Sequence, residues 1–307
     1  MTSFGAVSAS TYDLVPFNGS SNQGGGLASS RVSVSATGRY VMFLSTSTSL
    51  VPNDTAFRDV FVLDTETGAI SKESGVDGMP TSGHYEDAVM THNGRYILVS
   101  LSNDYGKLYL RDRALSQSSV ITIPHSGMSY PMGVSEDGRF VFYNSGGSLQ
   151  YQDVDSGTET SIPGAGSSTQ IDCSGRFAVT ATTAQLVPED QDAVQDVYLI
   201  DVMNGMTYKN LTLAADGTSF SPSISCDGNY VTFASNATNL VSGDTNGEYD
   251  IYQYSVGSDE YVRVSLAPDG SEYGDYYSTS GGVSWGVESH TRPWMVDMQV
   301  LLLRRAP

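Results

Sequence analysis

The sequence predicts an all-β protein built from repeated strand hairpins. Five times, a turn pair ending in glycine is followed by a short run rich in aromatic and β-branched residues. These runs are apolar at nearly every position, which is typical of strands buried on both faces, and no stretch shows convincing helical periodicity. An internal repeat of this length indicates the architecture of the protein without reference to any single residue. The five turn pairs are Thr37-Gly38, Asn93-Gly94, Asp137-Gly138, Ser174-Gly175 and Asp227-Gly228.

Each repeat is long enough for four strands, as the copy around Gly228 shows. Its first two strands flank the Asp227-Gly228 pair, which supplies the positive φ angles that a tight hairpin needs. Two further strands are predicted over 250–254 and 261–265. The turn glycines recur every 37 to 56 residues, and four-strand units of this length stacked around an axis form a β-propeller. A β-helix would need shorter, more regular rungs without a hairpin glycine in each.

The predicted fold is therefore a single domain, a six-bladed β-propeller of four-stranded blades. The sixth repeat runs out of chain after three strands, and the N-terminal segment 11–17 has no other partner. We expect this N-terminal strand to join the C-terminal blade and close the ring, because closure removes unpaired sheet edges. The blades are expected at approximately 27–76, 82–124, 129–163, 167–214, 219–266, and 271–307 plus 11–17.

The repeat resembles that of the TolB-like β-propellers of bacterial proteins. The pattern Ser-x-Asp-Gly-x-Tyr-Val-x-Phe at 225–233 is followed by Asn-Leu-Val-x-x-Asp at 239–244 and by an Asp-Ile-Tyr strand at 250–252. The loop and the strand recur in the first and fourth repeats. The resemblance implies the propeller architecture. Function does not follow from it, because proteins with similar repeats include periplasmic interaction proteins, peptidase-associated propellers and some polysaccharide lyases.

The charge balance narrows the class of partner. The chain has 15 basic and 34 acidic residues, a net charge of −19, with only three lysines. Such a surface repels phosphate backbones, so we expect no nucleic-acid partner. No apolar segment is long enough for membrane insertion. Cations, basic proteins and neutral glycans stay open as partners, although acidity can also serve solubility alone.

The sequence carries only weak indications of the compartment. Residues 1–10 lack the basic region and the apolar core of a signal peptide, so none is visible in this chain. Low lysine content with abundant Gly, Ser, Thr and Asp nevertheless suits an exported protein. We therefore expect a periplasmic or extracellular location.

The two cysteines, Cys173 and Cys226, occupy the same position in neighbouring repeats, two residues before the turn glycine. We expect adjacent blades to separate their Cα atoms by more than the roughly 7 Å that a disulfide tolerates. Both cysteines are therefore predicted to be free, partly buried thiols.

Candidate site residues collect on one face of the predicted propeller, at the mouth of its channel. Histidine, carboxylate and tyrosine there could perform general acid–base catalysis, and three histidines could hold a transition metal. Chance placement on polar loops is the alternative. His92 lies in a turn on the opposite face and is predicted to be an ordinary surface residue. The catalytic candidates are His84, Glu86, His125, Tyr130, Tyr273, His290 and Arg292, and the ligand-binding candidates are Tyr85, Asp87, Tyr130, Tyr273, Asp275 and Tyr276.

Acidic loops precede the third strands of repeats 1, 4 and 5. Alternating oxygen ligands followed by a further carboxylate on a short, flexible loop are what calcium needs, although the match to an EF-hand loop is partial. The alternative is that these side chains bond their own backbone in Asx-turns. The strongest calcium candidate is repeat 5, with Asp244, Asn246 and Asp250, followed by repeat 4, with Asp190, Asp192 and Asp196.

Two classes of function fit these features. The first is a non-catalytic binding module that presents an acidic, tyrosine-rich face to a protein or glycan ligand, because exposed tyrosine beside polar groups commonly binds sugars and peptides. The second is a carbohydrate-active enzyme, a lyase or hydrolase, with a His-centred and metal-dependent site on the same face. A purely structural domain of an extracellular assembly is a third option.

Overall fold

The structure is a computed structural model that describes residues 29–271 apart from 53, 55–56, 77–78, 103–106, 116–120, 125–128, 166–168 and 267–269. In this part of the chain the regular structure is entirely β, in five antiparallel sheets of four strands each. The strands are β1 (Ser29–Val34), β2 (Tyr40–Ser45), β3 (Asp59–Asp64), β4 (Ile70–Lys72), β5 (Tyr85–Met90), β6 (Tyr96–Leu101), β7 (Lys107–Asp112), β8 (Ile121–Pro124), β9 (Ser129–Val134), β10 (Phe140–Ser145), β11 (Ser148–Asp153), β12 (Thr158–Ile162), β13 (Gln170–Ile171), β14 (Phe177–Thr182), β15 (Asp196–Asp201), β16 (Thr207–Asn210), β17 (Ser219–Ile224), β18 (Tyr230–Ser235), β19 (Asp250–Ser255) and β20 (Glu260–Arg263).

Every sheet is a meander in which strands adjacent in sequence are hydrogen-bonded neighbours. We number the sheets blades 1 to 5 in chain order. Their first strands touch in sequence, β1 with β5, β5 with β9, β9 with β13 and β13 with β17, which is the radial arrangement of a β-propeller. The all-β, four-stranded prediction is thus confirmed. The predicted sixth blade and the ring closure by 11–17 lie outside the described residues and stay predictions.

The apolar core lies between neighbouring blades. Met42 and Val60 of blade 1 pack with Ile97 and Val99 of blade 2, and all four side chains are fully buried. Equivalent clusters join blade 2 to blade 3, blade 3 to blade 4, and blade 4 to blade 5. The second and third strands are covered on both faces for this reason, which explains their continuous apolar runs. Among the described residues, no helix is long and apolar enough to cross a membrane.

The end of each blade that carries the turn between its first and second strands is here called the turn end. In blades 1 to 4 this turn continues into a repeated Gly-Arg-aromatic sequence, whereas blade 5 has Gly-Asn-Tyr at 228–230. In blade 2, Arg95 lies 4.8 Å from the ring centroid of Tyr96 and donates to Asp112 at 2.7 Å. Arg39, Arg139 and Arg176 make the same contacts in blades 1, 3 and 4. The guanidinium holds the pKa of the Asp112 carboxyl below its usual value. Each arginine therefore links the second and third strands of its own blade.

The first strands converge at the turn end. The Glu136 N–H donates to the Cys173 carbonyl at 2.8 Å, and the Cys173 N–H donates to the Cys226 carbonyl at 3.0 Å. Cys173 and Cys226 consequently lie with their Cα atoms 4.6 Å apart and form a disulfide between blades 4 and 5. The prediction of two free thiols was wrong, because adjacent first strands approach each other at this end more closely than the sequence indicated.

Candidate functional site

The opposite end of the blades, here called the mouth face, is formed by the starts of the first strands and the loops between second and third strands. Backbone hydrogen bonds join these parts across blade boundaries. The Tyr85 N–H donates to the Arg58 carbonyl at 2.9 Å, and the Ser219 N–H donates to the Gln195 carbonyl at 2.8 Å. The loops of this face are therefore tied to one another and to the rigid sheets beneath them.

A compact polar and aromatic cluster spans blades 1 and 2 on the mouth face. The ring of His84 is exposed and meets the ring of Phe57 edge-on, with centroids 5.6 Å apart. His84 Nδ1 accepts a hydrogen bond from the Arg58 N–H at 3.0 Å, so the neutral ring carries its proton on Nε2. The Arg58 guanidinium lies 3.9 Å from the Glu86 carboxylate. This cluster offers a donor, an acceptor, a cation and an aromatic edge at one point.

Two predicted ligand-binding residues do not reach solvent. Tyr85 is 1% exposed and Asp87 is 3% exposed. The Tyr85 hydroxyl donates to the Pro80 carbonyl at 2.9 Å and accepts from the Gly75 N–H at 3.0 Å, and burial raises its pKa to about 12. Both residues belong to β5, not to a loop, and Glu86 between them points outward. Their predicted exposure was wrong, because strand alternation places them on the buried side.

Tyr130 does lie in the open, with 42% of its surface exposed. It is the second residue of β9, the position that Glu86 holds in β5 and Phe220 holds in β17. Phe220 packs edge-on against Tyr249, with ring centroids 5.1 Å apart. Phe220 was not among the predicted site residues, although it holds the same position in its repeat as Tyr130. His125, Tyr273, Asp275, Tyr276, His290 and Arg292 lie outside the described residues.

The acidic loops differ in which group neutralises them. In blade 1, Lys72 Nζ lies 2.9 Å from Asp54 and 2.6 Å from Asp59. In blade 5, the Arg263 guanidinium lies 3.2 Å from both Asp244 and Asp250. Each of these two loops therefore already holds a protein cation between its carboxylates.

Blade 4 has a neutral residue where blades 1 and 5 have a cation. Asn210 pairs with Tyr198 in the sheet, as Lys72 pairs with Phe61 and Arg263 with Tyr252. Carboxylate oxygens of the predicted ligands Asp190, Asp192 and Asp196 lie within 4.8 Å of one another.

The loop carboxylates also make the local bonds of the alternative interpretation. The Val194 N–H donates to Asp192 at 2.9 Å, and the Glu248 N–H donates to the Asn246 side chain at 3.0 Å, as in Asx-turns. Asp190 accepts from the Tyr198 hydroxyl, and Asp196 accepts from the Thr212 hydroxyl at 2.6 Å. In blade 4 the neutral Asn210 side chain stands where the other two loops have a cation, and its amide donates to Asp196 at 2.8 Å. Calcium binding in either loop stays a prediction.

Comparisons with known proteins identify the fold. No family model and no curated protein matches this chain. A putative TolB from Agrobacterium tumefaciens superposes with a TM-score of 0.50 at 15% identity, covering 77% of this chain and 80% of that one. An oligogalacturonate lyase in complex with manganese gives a TM-score of 0.50 at 13% identity, covering 87% and 79%. A prolyl endopeptidase gives 0.50 at 14% identity, covering 78% of this chain and 34% of its own.

These similarities define the class of protein: a β-propeller with a loop-built mouth face. The resemblance of the repeats to TolB-like propellers is thereby confirmed. At such low identity the likeness concerns the fold alone, and neighbours that include a lyase and a peptidase favour neither binding nor catalysis.

Proposed function

We propose that this protein is a non-catalytic binding module that holds a protein or glycan ligand on its mouth face. The proposal is carried by the exposed His84, which contacts the half-buried Phe57, and by the exposed Tyr130. These residues lie at the starts of first strands and on loops joined by backbone hydrogen bonds. A rigid aromatic and polar surface of this kind binds with little loss of conformational entropy. The net charge of −19 favours ligands that are neutral or basic.

A direct test compares two side chains that are equally exposed but lie at opposite ends of the blades. Tyr130 on the mouth face and Met203 at the turn end are each 42% exposed. Ligands would first be found with a glycan array and a library of neutral and basic peptides. We expect Tyr130→Ala to weaken binding of a hit about tenfold or more, because truncating an aromatic hot-spot residue costs about 2 kcal/mol or more. Met203→Ala should leave the Kd unchanged.

The outcomes separate the proposal from its alternatives. Equal Kd values for the two variants would place the binding surface elsewhere. If the protein turns over a polysaccharide and His84→Ala abolishes this activity, the carbohydrate-active enzyme is favoured. The oligogalacturonate lyase shows that an enzyme can have a similar fold. In that case His84 Nε2 would be the acid–base atom, because Nδ1 is engaged by the Arg58 N–H.

We also propose a periplasmic or extracellular location. The support is the disulfide between Cys173 and Cys226, since such bonds form and persist mainly in oxidising compartments. To test this assignment, the natural host and its medium are fractionated and the protein is located among the fractions.

Calcium remains a proposal for the loop of blade 4. We expect the Tm to be several degrees higher in millimolar calcium than in the presence of a chelator, because an ion that binds only the folded state stabilises it. Asn210→Lys should abolish this calcium effect, since a lysine at the same sheet position neutralises the acidic loop of blade 1. Asn204→Lys, which adds the same charge at the turn end, should retain the effect. A wild-type Tm that is the same with calcium and with chelator would contradict calcium binding.

A further inference from the structure

The narrow turn end of the blades brings together four chemically active side chains. His92, Glu136, Cys173 and Cys226 occupy one equivalent position in blades 2 to 5, two residues before each turn glycine. His92 Nδ1 lies 3.1 Å from Cys173 Sγ and 3.5 Å from Glu136 Oε1. The prediction that His92 is an ordinary surface residue was wrong, because convergence of the first strands turns it toward its counterparts in the other blades.

The backbone holds this cluster in place. The Glu136 carboxylate accepts hydrogen bonds from the His92 N–H at 2.6 Å and the Asn93 N–H at 2.9 Å. The His92 carbonyl accepts from the Ala36 N–H at 2.7 Å, so blades 1, 2 and 3 all fix the position of this residue. A disulfide that only joins blades 4 and 5 would not require an imidazole from blade 2 and a carboxylate from blade 3.

Imidazole, thiolate and carboxylate are the types of donor found in tetrahedral zinc sites. The candidate ligand atoms of His92, Cys173 and Cys226 all lie within 4.8 Å of one another. Zinc binds thiolate sulfur at about 2.3 Å and imidazole nitrogen at about 2.0–2.1 Å, which places its ligand atoms roughly 3.3–3.8 Å apart. A disulfide has no thiolate to offer, so the metal and the disulfide exclude each other.

We propose that reduction of the Cys173–Cys226 disulfide converts the turn end into a zinc site, held by both cysteines and His92 with Glu136 at the fourth position. A dithiol reductant breaks the S–S bond, gives two electrons and two protons to the cysteines, and becomes a disulfide itself. Zinc then displaces the two thiol protons to solvent. The sulfurs separate to about 3.7 Å by rotation about their Cα–Cβ bonds. His92 and Cys226 are half-buried, which leaves a path for reductant and ion.

The test uses the full chain in both redox states. The protein is reduced anaerobically with a phosphine, which takes oxygen from water to become its oxide and, unlike a dithiol, competes little for zinc. After desalting, Zn²⁺ is titrated against a chromophoric chelator, and Co²⁺ is added separately as a spectroscopic probe. We expect one zinc per reduced chain, with cobalt showing thiolate charge-transfer and tetrahedral d–d bands. The oxidised chain should show neither result.

Variants identify the ligands without relying on the cysteines alone. His92→Ala, which leaves the disulfide able to form, should weaken zinc binding by the reduced chain at least about tenfold. Asp155→Asn, at a carboxylate 77% exposed at the turn end of blade 3, should leave the zinc affinity unchanged. Three outcomes would overturn the proposal: equal zinc affinity of reduced and oxidised chains, unchanged affinity in His92→Ala, or a loss of near-UV circular dichroism on reduction that zinc does not restore.

Discussion

Cys173→Ala together with Cys226→Ala is expected to lower the free energy of unfolding by about 3–4 kcal/mol. The disulfide spans 53 residues of sequence, and closing a loop of that length in the unfolded chain removes much of its conformational entropy. The bond also joins blades 4 and 5 at the point where their first strands converge. Urea denaturation of the oxidised wild type and the double variant, fitted with a common slope, measures the difference.

Reduction provides the control for this prediction. Metal-free wild type under a phosphine reductant should match the double variant in stability, and the double variant should not respond to the reductant. A difference below about 1 kcal/mol between oxidised wild type and the double variant would contradict the prediction. It would mean that the unfolded chain is already restricted in the absence of the bond.

Gly138→Ala is expected to destabilise the protein by about 2–4 kcal/mol for two separate reasons. Gly138 has a φ of +76°, where an L-residue with a Cβ is strained. A Cβ at this position would also lie 2.4 Å from Cε1 of Tyr96 in the preceding blade. That ring lies against the Arg95 guanidinium and packs against the buried cluster between blades 2 and 3, which limits its freedom to move away.

Gly157 in the same blade separates the two causes. Its φ is +68°, and no described atom lies within 4 Å of the position its Cβ would take. Gly157→Ala should therefore cost only the backbone strain, about 1 kcal/mol. Thermal or urea denaturation of both variants gives the comparison. Equal losses of stability would show that the turn of blade 3 does not depend on close contact with Tyr96.

The same glycine shows what a repeat does and does not reveal. The turn pair before each second strand was enough to predict a hairpin, because the positive φ is a local requirement. The contact between Gly138 and Tyr96 joins different blades, and no local pattern encodes it. The acidic loops are a second case in which a local pattern is visible in the sequence and its contacts are not. Their carboxylates are visible in the sequence, but whether Lys72, Arg263 or Asn210 faces them depends on the sheet register.

By itself, the sequence determined the all-β class, the four-strand unit and the places of its turns, because turn glycines and apolar strand runs act over short distances. The tertiary structure alone decided the Cys173–Cys226 bond and the contact of His92 with Cys173. These features depend on how closely the first strands of successive blades approach, and that spacing is set by packing between residues far apart in the chain.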